Sequence, residues 1–120
     1  MTTIEILKKA RELLSDPRRW AKGEYARTNL GFPTFPDWSN RFGSFCLMGA
    51  CMFSVETLDD KSWGIKRGPR NSYKEQLELV WQALAPDNTP LHKWNDAPER
   101  THAEVLQRFD EAIARLEAAG

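Results

Sequence analysis

Histidine and cysteine are both scarce in this 120-residue chain, with two of each. Two cysteines cannot build the disulfide framework of a small secreted domain, and two histidines offer little material for a metal centre. Charge of one sign is also lacking. Seventeen lysines and arginines meet 17 aspartates and glutamates, for a formal net charge of zero at pH 7. That balance excludes the long-range field of a strongly basic nucleic-acid binder, while 41% hydrophobic residues exclude a disordered chain. The longest apolar run, FCLMGACMF at 45–53, falls far short of the roughly 20 residues of a membrane helix, so no membrane partner is expected. The start, MTTIEILKKARELL, has none of the basic flank, apolar segment and cleavage site of a secretory signal. Together these absences point to a soluble cytoplasmic protein with reduced thiols. HExxH, P-loop and GxGxxG signatures are absent, so no metal and no cofactor are expected. Internal repeats and flexible linkers are absent too, and each half of the chain is separately neutral. One helical domain over 1–120 is the expectation, and a chain of this length can bury about two thirds of its surface.

Helical periodicity dominates what is there. Thr2 and Glu5 have the spacing of a capping box, and Ile4, Ile6, Leu7, Ala10, Leu13 and Leu14 form the apolar stripe of a first helix, stopped by Ser15, Asp16 and Pro17. A short second helix is predicted over 18–29, weakened by Gly23. The segment 30–40, with Gly31, Pro33 and Pro36 among Phe32, Phe35 and Trp38, reads as a loop packed on the core. Residues 42–58 read as a central helix, in which Gly49 and Ala50 would let a neighbouring helix approach closely. After a connector at 59–71, Ser72 and Glu75 mark the start of a helix carrying Tyr73, Leu77, Val80, Trp81 and Leu84. A last helix, capped by Asp96 with Pro98 in its first turn, carries Val105, Leu106, Phe109, Ala112, Ile113 and Leu116. Its other face alternates Arg100, Glu104, Arg108, Glu111 and Arg115, the pattern of a solvated surface laced by ion pairs. The fold class expected is therefore an all-α bundle of four to five helices.

Three readings of the polar residues compete. A thiol nucleophile needs a base, and that base needs a polar group to hold its tautomer; Cys46, His92 and either Asn95 or Asp96 supply those types for a cysteine-dependent hydrolase. Against it, Cys46 lies in an apolar run that reads as packed core, and Asp96 as a helix cap. The connector KSWGIKRGPR places Lys66, Arg67 and Arg70 beside Trp63, an arrangement that could hold a phosphate or a nucleic-acid strand, although overall neutrality disfavours it. The third reading uses the five tryptophans, a large number for this length. Trp63 and Trp94 lie in polar surroundings, and Trp94 could staple the last helix or rim a pocket with His92 and Asn95. This favours a non-enzymatic domain that binds a protein or small ligand, or a second copy of itself.

The spaced residues Trp20, Gly23 and Ala26, the C-x2-G-A of Cys46, Gly49 and Ala50, and the W-N-D-x-P-x-R-T run from Trp94 to Thr101 resemble a small bacterial and phage family of unknown function. The likeness continues through EVLQRFDEAIA at 104–114 and covers nearly the whole chain. Phe45 stands where relatives show tryptophan before the cysteine, and the proline-rich stretch at 32–38 is individual to this chain. The resemblance implies a compact domain and carries no activity with it.

Overall fold

In a computed structural model of the chain, residues 2–28, 33–34, 42–58 and 70–119 are described. The first helix, α1 (Thr3–Leu13), forms where its capping box puts it. The Thr2 hydroxyl accepts from the Glu5 amide at 3.1 Å, and the Glu5 carboxylate accepts from the Thr2 amide at 3.0 Å. Those two bonds satisfy orphan donors of the first turn, and the one from the Thr2 amide holds the Glu5 carboxyl below its ordinary pKa. The expected stop is also seen. Asp16 accepts from the Arg18 amide at 2.9 Å and starts a single tight turn, Pro17–Arg19.

The helix expected over 18–29 does not form. Gly23 adopts φ of +84°, a left-handed conformation that breaks a right-handed helix, and the chain then extends as β1 (Ala26–Thr28). β1 is the middle strand of a small antiparallel sheet, flanked by β2 (Pro33–Thr34) and β3 (Phe42–Phe45). Ala26 faces Phe45 across the β1–β3 pair, whose register shifts between Arg27 and Thr28. The helix expected over 42–58 is accordingly shorter. Its first four residues pair as strand, and α2 runs Leu47–Leu58. Apart from Pro33–Thr34, the loop predicted at 30–40 lies outside the described residues.

Helix α3 (Arg70–Leu84) begins before the proposed Ser72 cap and ends ahead of Pro86, as expected. A six-residue helix, α4 (Leu91–Asp96), then occupies a stretch to which the periodicity assigns no helix. The last helix, α5 (His102–Ala119), starts later than predicted, because Thr101 and Glu104 form its capping box in place of Asp96 and Glu99. The Thr101 amide donates to Glu104 at 2.9 Å and the Thr101 hydroxyl accepts from the Glu104 amide at 3.2 Å. The mostly helical fold expected from the pattern is thus the observed one, with a small sheet added at one side.

The core gathers Ile6, Leu7 and Ala10 of α1, Leu47, Ala50, Cys51 and Val55 of α2, Val80 and Leu84 of α3, and Val105, Phe109 and Ala112 of α5. α1 packs on both α2 and α5, and α3 lies against the same three helices. Lys8–Glu117 and Arg11–Asp110 pairs cross the outside of the α1–α5 contact and, being exposed, contribute little. The charged stripe on α5 departs from the expected ladder. Arg100 and Glu104 do pair, but Arg108 and Arg115 donate instead to the Leu84 and Ala83 carbonyls at the C-terminus of α3. Unpaired carbonyls there carry the negative end of the helix dipole, which draws the guanidinium groups away from the stripe.

Gly49 permits a close approach, but its neighbour is backbone just before β1 and not another helix. A Cβ at Gly49 would stand 1.8 Å from the Tyr25 carbonyl oxygen, which itself accepts from the Cys46 amide at 3.1 Å. Relief of the clash must separate α2 from the sheet. Gly49→Ala should therefore lose about 3 kcal/mol or more in urea denaturation. Gly23→Ala meets no atom within 4 Å and carries only the left-handed backbone strain, about 1 kcal/mol. Equal losses in the two variants would contradict this packing.

Candidate functional site

α4 supplies the site because its two faces have opposite tasks. Leu91 and Asn95, one turn apart, are buried, while His92 and Asp96, also one turn apart, are exposed. Asn95 is wholly buried and uses every hydrogen-bonding position of its carboxamide. Its Oδ1 accepts from the Trp20 indole at 2.7 Å and from the Leu47 amide at 3.1 Å. Its Nδ2 donates to the Ala21 carbonyl at 3.0 Å and to Asp96 Oδ1 at 2.9 Å. The reverse orientation would set donor against donor, so the network itself fixes the amide.

One of those bonds caps α2 from 48 residues away, since Leu47 opens that helix and its amide has no partner within it. The local cap is Cys46, whose Sγ accepts from the Gly49 amide at 3.3 Å. Burial pushes the Cys46 thiol up to about 11. The amides of Gly49 and Met48 act in the opposite direction, and the Asp96 charge adds to the rise. Cys46 is therefore a neutral thiol near pH 7, with no bonded pairing to Cys51, which is also free and buried.

Behind α4, the Trp94 ring packs against two guanidinium groups, with Arg100 Cζ 4.1 Å and Arg108 Cζ 4.4 Å from its centroid. Arg100 Nε also donates to the Trp94 carbonyl at 2.8 Å, and Lys22 donates to the Ala97 carbonyl at 2.7 Å. Cations thus gather at the C-terminal end of α4, the end that attracts them.

The front of α4 opens on a cleft of about 260 Å³ lined by Gly23, Glu24, Tyr25, Cys46, His92 and Asp96. The structure brings together three residues singled out from the sequence, Cys46, His92 and Asp96. Asn95 lies behind them as their anchor, and Trp94 does not line this cleft. Asp96 ends α4 instead of capping α5, and its Oδ1 also accepts from the Gly23 amide at 2.8 Å. Among the described residues, no hydrogen bond joins the Cys46 thiol to the His92 imidazole, and no three His, Cys, Asp or Glu side chains group as metal ligands. Trp63, Lys66 and Arg67 lie outside the described residues, and Arg70 is the first residue of α3. Sequence reasoning misses Glu24 and Tyr25 because it places them on a helix; the available signal is Gly23, whose positive φ turns them toward α4.

A family model described as a family of unknown function, DUF6197, matches residues 1–115, and the chain belongs to that family. No curated protein and no solved structure matches it.

The Cys46 thiol makes stability depend on alkaline pH. Below pH 9.0 it is protonated whether the chain is folded or not; between pH 9.0 and about 11 the unfolded chain releases a proton that the folded chain retains. Stability therefore falls as pH rises through that window, by on the order of 2 kcal/mol for this group. Urea denaturation of wild type and Cys46→Ala at pH 8 and pH 11 should show the larger loss in wild type. Parallel losses would show that the thiol is not desolvated.

Proposed function

We propose that this member of DUF6197 is a non-enzymatic binding domain that receives a ligand or partner group in the cleft between α4 and the residues leading into β1. One observation carries this reading. Three segments distant in sequence, at Tyr25, Cys46 and His92, converge on a cleft whose polar wall is braced from behind, Asp96 by Gly23 and Asn95 and Asn95 by Trp20 and Leu47. Bracing of that kind lowers the entropy lost when a ligand is captured. His92, exposed on the same face, supplies a group able both to donate and to accept. Among the described residues no helix is long and apolar enough to cross a membrane.

A cysteine-dependent hydrolase is the second reading, favoured by Cys46, His92 and Asp96 lining one cleft. It is the weaker one. A thiol held near 11 offers few thiolates at neutral pH, and the Sγ accepts a backbone bond in place of facing the imidazole.

A small-fragment screen by ligand-observed NMR tests the binding reading, with His92→Trp as a variant that fills the cleft. Hits on wild type that vanish in the variant support it; hits equally strong in both, or none at all, overturn it. Iodoacetamide at neutral pH separates the rival. Cys46 should remain unmodified in the folded protein, whereas rapid labelling abolished by His92→Ala would select the hydrolase.

A further inference from the structure

His92 lines not one cleft but two. A second hollow, of about 320 Å³, lies between α2, the end of α3 and the start of α4, and His92 shares its wall with Met48, Trp81, Ala85, Pro90 and Leu91. The two hollows differ in chemistry. The first carries the carboxylates of Glu24 and Asp96, while aliphatic, aromatic and thioether groups dominate the second. Among the described residues that line either one, there is no lysine or arginine.

The Asp96 carboxylate is prepared for a cation. Its Oδ1 is held by two N–H donors, from Gly23 and Asn95, and among the described residues no protein donor reaches Oδ2. A carboxylate already fixed in this way loses little rotamer freedom when it meets an ammonium or guanidinium group. A neutral ligand covering it would strip water from a charge and return at most a hydrogen bond without an opposite charge, and an anion would be repelled by both carboxylates.

We propose that the two clefts form one site, joined at His92, for a small amphipathic organic cation. Its ammonium or guanidinium lies on Asp96 Oδ2 beside Glu24, and its apolar body lies against Met48, Trp81 and Leu91. This rests on the binding role given to the first cleft and names its ligand class. Charge complementarity selects the head group. Size selects a free small molecule, since sites for such ligands occupy roughly 300–1,000 Å³ and the joined hollows fall within that range.

The test uses the full chain and five probes in an amide-detected NMR titration: phenylbutylamine, phenylbutanol, phenylbutyrate, butylamine and a Lys-Phe dipeptide. Phenylbutylamine should shift the amides of Gly23, His92 and Met48 saturably. The alcohol, the carboxylate and the short amine should each bind about tenfold more weakly or worse, the first two for want of a cation and the last for want of an apolar body. Asp96→Asn, which keeps the Oδ1 acceptor, should weaken the amine by about tenfold and leave the alcohol unchanged. Should that variant fail to fold, Glu24→Gln tests the same preference and should weaken the amine selectively. Alcohol or carboxylate binding as tightly as phenylbutylamine would overturn the cationic head group while leaving the cleft a binding site. Equal binding of butylamine would overturn the joined site. A Lys-Phe dipeptide that binds where phenylbutylamine does not would overturn the free-cation occupant in favour of a protein side chain. Saturable shifts elsewhere with the cleft amides silent would overturn both this proposal and the binding role.

Discussion

The buried carboxamide of Asn95 is the constraint on which the arrangement turns. It makes two donor and two acceptor bonds with no access to solvent, and it joins segments that nothing local brings together: the turn after α1, the first residue of α2 and the end of α4. A polar group so placed would be costly if any partner were missing, so the position of each segment is specified by the needs of the others. The apolar core drives collapse, but it cannot by itself choose this register. Asn95 does so by having only one arrangement in which all four bonds are made.

The close approach at Gly49 completes that specification. With Asn95 capping α2 from one side and the Tyr25 carbonyl pressed against its first turn from the other, the beginning of α2 is located in three dimensions. Cys46 follows from this placement. It sits at the foot of the helix, gives its sulfur to the Gly49 amide and presents its thiol to the cleft as a neutral group. Trp94, packed against Arg100 and Arg108, supports α4 from behind, so the aromatic residue most suggestive of recognition acts as a brace. The cleft on the opposite face is lined instead by less conspicuous residues, His92 and Asp96 with Glu24 and Tyr25.

Features encoded within a few residues were legible in the sequence. The Thr2–Glu5 box and the stop at Pro17 depend only on local hydrogen bonds and sterics, and the amphipathic stripes of α1, α3 and α5 give the helical fold. Boundaries failed where two local signals overlapped. Asp96–Glu99 and Thr101–Glu104 have the same spacing, and the first is unavailable as a cap because Asp96 is committed to Gly23 and Asn95. The strands were illegible because β1 and β3 are three and four residues long and are held by partners remote in sequence. For the site, Cys46, His92 and Asp96 were identifiable by residue type, but their shared cleft is a product of tertiary structure. Asn95, expected beside Trp94 and His92 at a pocket rim, is buried instead, because the partners that hold it, Trp20, Ala21 and Leu47, are remote in sequence.

Native-state hydrogen exchange at two N–H groups, the Trp20 indole and the Leu47 amide, tests the central role of Asn95 most directly. Both donate to Asn95 Oδ1, and neither would be shielded by ordinary helical bonding, since a first-turn amide has no acceptor in its own helix. If the carboxamide holds these segments together, both protons exchange only through global unfolding, as slowly as the Phe109 amide in the middle of α5. Exchange of either at the rate of an exposed amide, with Phe109 still protected, would show that the structure does not depend on Asn95.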